Sequence, residues 1–264
     1  MHSSTAIAAV SRRDRLLIGT CILLITALAW AYLIHLDRQM SSAMAYDRMM
    51  AAMGMTSDVA WTPADVFFTF AMWAVMMVAM MSGAASPVLF LFAAVHRRRD
   101  PRSVPVAVLL FGSAYVAIWA GFSACAALAQ WVLHEATMLS PAMRTSSPYL
   151  GGAILVGAGI YQLTPFKGAC LTHCRSPLGF MMTSWREGPL GAFQMGLRHG
   201  AYCVGCCWAL MCVLFVVGVM NLAWVAALTI FVLLEKAGPA GGTLARIAGA
   251  GMVIAGMLRI TGIV

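Results

Sequence analysis

Val66-Phe67-Phe68-Thr69-Phe70-Ala71-Met72-Trp73-Ala74-Val75-Met76-Met77-Val78-Ala79-Met80-Met81 carries no charged side chain, and none follows until Arg97. Such a stretch can cross a bilayer as a helix, which takes about 20 apolar residues. Blocks of the same kind recur at 16–34, 64–93, 104–131, 149–165, 201–219, 222–235 and 245–262. They imply an all-α fold, a polytopic transmembrane helical bundle of about seven spans, or six if one segment is re-entrant. Composition agrees. Of 264 residues, 62% are hydrophobic and 10% charged, against about 25% charged in soluble domains. So little polar surface cannot cover a water-soluble core.

The net charge of +8 is explained by where it falls. If the N-terminus is cytoplasmic, the inner segments hold Arg12, Arg13, Arg15, Arg97, Arg98, Arg99, Arg102, Lys167, Arg175, Arg186, Arg198, Lys236 and Arg246, which is 13 of the 17 basic residues. The outer segments keep Arg38, Arg48, Arg144 and Arg259. This asymmetry is the positive-inside pattern, so the charge reads as topology and not as a nucleic-acid footprint. The expected location is a cell inner membrane of multi-pass type, with the lipid bilayer as first partner and no nucleic acid. Ser11-Arg12-Arg13 and Ala43-x-Ala45 resemble parts of an export signal, but the apolar run from Leu16 to Ile34 exceeds a signal core and reads as a retained first helix.

Two regions follow. Residues 1–63 hold an anchor helix and a Met-rich outer segment; residues 64–264 form the helical membrane domain with the cysteine motifs. Thr62-Pro63 with Asp65, and Asp58 nearby, marks a helix start. Pro87 predicts a kink or an end, and Pro141, Pro148, Gly151 and Gly152 mark an outer connection. Gly218 to Asn221 is short enough to make its flanking spans an antiparallel hairpin. The polar stretch from Pro165 to Gly200 predicts an inner loop with one or two interfacial helices.

Eight cysteines are present, and five cluster as Cys170-Leu-Thr-His-Cys174 and Cys203-Val-Gly-Cys206-Cys207. Residues three or four apart share a helix face, so each motif can present paired thiols. If the motifs meet at the inner membrane face, Cys170, Cys174, Cys203, Cys206 and Cys207 form a thiolate ligand set, with His173 and His199 as optional members. Thiolates suit Cu(I), zinc and iron–sulfur clusters; the spacing names none of them. Arg175 and Arg198 are candidates to favour the thiolate form. Helix packing by small thiols is the plain alternative, and the expected one for Cys21, Cys125 and Cys212.

The methionines are a second constellation. Met72, Met76 and Met80 share one helical face with Met77 and Met81 alongside, and Met40, Met44, Met49, Met50, Met53 and Met55 crowd the segment before them. Thioethers bind Cu(I), so a copper route from outer methionines to inner thiolates is one reading; flexible apolar packing is the other. Copper is the favoured ion, zinc the alternative. Glu235-Lys236 is expected at an interface, paired with itself or a neighbour, and Gln162 and Asn221 in interhelical hydrogen bonds. No phosphate-binding glycine loop, Ser/His/Asp arrangement or haem attachment motif stands out.

Tyr161-Gln162-Leu163-Thr164-Pro165-x-Lys167-x-x-Cys170-Leu171-x-x-Cys174-Arg175-x-Pro177 and Gly196-x-Arg198-His199-Gly200-x-x-Cys203-x-Gly205-Cys206-Cys207-Trp208-x-Leu210-Met211 resemble the bacterial domain-of-unknown-function family 2182, described as predicted metal-binding integral membrane proteins. Met220-Asn221, Glu235-Lys236 and the run Met76 to Met81 also resemble it. The resemblance covers roughly residues 64–262 and implies metal binding without naming a reaction. Ser82-Gly83 departs from it, since such sequences often carry proline there.

Three functions follow as expectations. The first is a membrane protein that binds or relays a soft ion, copper above all, for a metallochaperone or membrane-complex partner. The second is a thiol- or metal-dependent membrane oxidoreductase. The third is a structural subunit of a membrane complex.

Overall fold

The computed structural model describes residues 12–53, 61–140 and 143–263, together with their side chains except at 43, 44, 46–48, 51 and 52. Ser11, Met55, Asp58 and Pro141, and the side chains of Met44 and Arg48, lie outside what is described. Among the described residues there are ten helices and no strand. They are α1 (Arg12–Ala52), α2 (Pro63–Arg99), α3 (Val104–Glu135), α4 (Pro148–Leu163) and α5 (Pro165–Arg175), then α6 (Pro177–Ser184), α7 (Gly188–Cys212), α8 (Leu214–Val217), α9 (Leu222–Ala237) and α10 (Gly241–Ile260).

Among the described residues, five helical stretches are long and apolar enough to cross a membrane: Arg12–Ser42, Pro63–Arg99, Val104–Glu135, Gly188–Val217 and Gly241–Ile260. The expected seven is not reached. The other two segments are helical, but α4 and α9 have 16 residues each, about 24 Å of helix against about 30 Å of hydrocarbon.

Local signals set several boundaries. Thr62 and Asp65 form a reciprocal capping box, with Pro63 in the first turn, which satisfies amides that helix geometry leaves unpaired. Helix α2 runs through Pro87 without ending. Proline removes the N–H that would reach the Gly83 carbonyl, and the Ser86 hydroxyl donates to that carbonyl at 2.8 Å instead. Helix α1 extends well past Ile34 to Ala52, because its Ala, Met, Gln and Arg residues favour helix even where they are too polar for a span. At the basic turn, the Ser103 side chain and the Arg102 N–H hold the Asp100 carboxyl below its ordinary pKa.

The polar stretch from Pro165 folds as α5 and α6, but α7 already begins at Gly188, so its second half belongs to a long helix. Helix α7 packs along α3, α3 along α2 and α2 along α1, while α10 lies against α4. A Cβ on Gly196 would collide with the Phe111 carbonyl oxygen, and one on Gly200 would press on Ile118. The close α3–α7 approach therefore needs glycine at 196 and is tight at 200. The α4–α10 pair uses the same device, since a Cβ on Gly256 would stand 2.7 Å from the Gly152 carbonyl oxygen. Gly218, at φ +105, turns the chain from α8 toward α9, a conformation that costs glycine little.

Candidate metal centre

Cys203, Cys206 and Cys207 sit on α7 and Cys174 on α5, all buried. The Cys206 Sγ lies 3.3 Å from the Cys207 Sγ and 3.8 Å from the Cys174 Sγ. The two motifs therefore meet, as their spacing implied. They meet at a different depth. The Tyr115 hydroxyl lies 3.0 Å from the Cys203 Sγ and 3.4 Å from the Met81 carbonyl oxygen. Met81 and Cys203 are each near the middle of a long helix, so the thiols lie at mid-length of the bundle and not at its basic end.

Cys170 is half-buried one turn before Cys174, its sulfur against Gly205. His199 is 2% exposed, its Nδ1 has no partner, and its ring stands among Phe111, Tyr115 and Phe180. His173 is half-buried and stacks on Tyr202, outside the buried thiols. Met72, Met76, Met77, Met80 and Met81 are buried in the same apolar core as the thiols. Met40 and Met50 are partly buried, and Met49 and Met53 are exposed. Cys21 and Cys125 lie on exposed faces and Cys212 is half-buried, so none of the three is a core thiol.

The charged residues around the site differ most from expectation. Lys236 is buried, and its ammonium donates to the Cys203 Sγ at 2.9 Å. Glu235, 0% exposed, pairs with Lys167 at 2.5 Å, and the Lys167 ammonium also donates to the Gln162 side-chain oxygen. Glu235 and Lys236 are thus not an interfacial pair, and Lys167 and Lys236 are not surface charges. Arg175 donates to the carbonyls of Glu235 and Gly238 at the end of α9, and Arg198 donates to the Tyr202 hydroxyl. The cation on the thiols is Lys236, not either arginine.

Adjacency in sequence was the missed signal. Neighbours on a helix point in different directions, so Glu235 and Lys236 must each find a partner elsewhere. Tyr115 gives no such signal, because only the α3–α7 packing brings it to Cys203.

Four buried thiols beside a buried ammonium are a donor set for a soft ion. Among the described residues no three His, Cys, Asp or Glu side chains stand in a metal-holding arrangement; the sulfurs are drawn together in mutual contact. A family model described as copper chaperone, PpoB2, matches residues 70–259, well over half of the chain. The chain belongs to this copper chaperone family. The match takes in every thiol of both motifs, Tyr115, Lys167, Glu235 and Lys236. It upholds the metal-handling class that the motif resemblance implied, under a different family name, and it speaks for copper; for zinc it offers nothing. No curated protein and no solved structure matches the chain.

Proposed function

We propose that this chaperone-family protein is a multi-pass inner-membrane protein that holds copper as Cu(I) on Cys174, Cys203, Cys206 and Cys207 and passes it to a copper-accepting partner. The observation that carries the reading is the convergence of four buried thiols at one end of a buried ammonium. Two sulfurs each about 2.3 Å from one ion stand about 3.8 Å or more apart. The Cys174–Cys206 separation of 3.8 Å meets that condition, and rotation about Cα–Cβ would open the closer Cys206–Cys207 contact. Lys167, Lys236 and Glu235 together carry one net positive charge. Two thiolates with a monovalent ion carry one negative charge, so the buried assembly is neutral, as a low-dielectric interior favours. The N-terminus is read as cytoplasmic from the basic segments.

Purified protein is expected to take Cu(I) from a chromogenic chelator in competition. Lys236→Met, which keeps the side-chain bulk and removes the charge, is expected to weaken that affinity about 10–100-fold, the usual cost of losing a group that supports a metal ligand. Unchanged affinity would remove Lys236 from the site.

The Cys174–Cys206 approach across two helices also favours a second reading, dithiol–disulfide exchange. A reversible two-electron titration of metal-free protein would support it.

A further inference from the structure

The donors on α7 do not stop at the thiols. Met195, His199, Cys203 and Cys207 follow one another at intervals of four residues, and their exposures are 1, 2, 1 and 0%. Successive members lie about 6 Å apart along the axis, one helical turn. Each bears a soft or borderline donor atom, and His199 keeps a buried nitrogen that has no hydrogen-bond partner among the described residues. An orphan imidazole nitrogen costs free energy unless something uses it.

The row ends in an opening. A cleft of about 210 Å³ at the start of α7 is lined by Ser184, Arg186, Gln194, Met195 and Arg198. The Met195 sulfur accepts the Arg186 N–H there at 3.3 Å. The cleft at the other end of the bundle, lined by Arg144, Asn221, Trp224 and Arg259 among others, includes none of these donors, nor Met211, the next residue in the same register. Of these two clefts, the row joins the buried thiols to the one at the end that carries Arg97, Arg98 and Arg99.

We infer that His199 and Met195 are transfer stations through which Cu(I) passes between the thiol cluster and the cleft at the start of α7. This rests on the thiol cluster being the holding site. A Cu(I) ion keeps at least two soft ligands while it moves, releasing one sulfur as the next donor engages. The ion stays Cu(I), and no electron is transferred. Arg186 and Arg198 at the mouth favour an acceptor that presents an anionic donor such as a thiolate.

Release from copper-loaded wild type to an excess of chromogenic chelator, followed by stopped flow, tests the route. His199→Gln and the volume-conserving Met195→Leu are each expected to keep full copper loading and slow release at least about tenfold, the effect of raising one barrier by about 1.4 kcal/mol. Met211→Leu is expected to release at the wild-type rate. Wild-type rates in both station variants overturn the route, as does equal slowing in Met211→Leu. Loss of loaded copper in the station variants also overturns it, since they would then belong to the holding site. Wild-type protein that takes up no Cu(I) overturns the holding site as well, whereas loaded variants with unchanged rates overturn the route alone.

Discussion

Glu235→Gln is expected to destabilise the protein by about 3–5 kcal/mol, the cost of removing one partner from a buried ion pair. Glu235 is fully buried and Lys167 nearly so, so the surviving ammonium cannot turn to water. Glutamine keeps the shape of the side chain and loses its charge, leaving Lys167 and Lys236 as two buried cations with no carboxylate between them. The double variant Glu235→Gln with Lys167→Met removes the pair together. It is expected to recover most of the loss, because replacing a buried pair by apolar bulk is often close to neutral. The denaturation midpoint of helicity in detergent reads both. A loss below about 1 kcal/mol in the single variant would match an exposed pair and contradict the burial of Glu235.

Cys203→Ser with Cys207→Ser is expected to abolish copper loading while leaving the helical content intact. Serine is close to cysteine in size, so packing around α7 should survive, but a hydroxyl is a poor partner for a soft ion. Cys203 is central because it also meets Tyr115 and Lys236. Elemental analysis of the purified variant beside wild type measures the effect. Full copper occupancy in a folded double variant would place the ion elsewhere. Paired replacement of Cys21 and Cys125, which lie on exposed faces, is the control and should leave loading unchanged.

Much of the architecture was legible because its causes are local. The apolar stretches dictate helix in a medium without water, and the Thr62–Asp65 box acts within a single turn. The grouping of the thiols was legible for a related reason, since positions three and four apart on a helix must share a face. The depth of the site was not. Polar residues near Cys170 and Lys167 suggested an aqueous face, but α4 ends at Leu163, and Pro165 starts a new helix that carries them against α7. The partners of Glu235 and Lys236 were equally hidden, because they come from α5 and α7 and only tertiary packing supplies them. Pro87 was misleading as a helix end, since one hydroxyl three residues after Gly83 supplied the missing donor. The extension of α1 to Ala52 shows the opposite case, where propensity carries a helix past the segment that hydropathy marks.

The central claim is that sulfur holds the ion at the centre of the bundle. X-ray absorption at the copper edge of Cu(I)-loaded wild-type protein addresses this directly. The expected result is a first shell of sulfur that is lost in Cys203→Ser with Cys207→Ser. A shell of nitrogen and oxygen, or a sulfur shell that persists in the double variant, would contradict it.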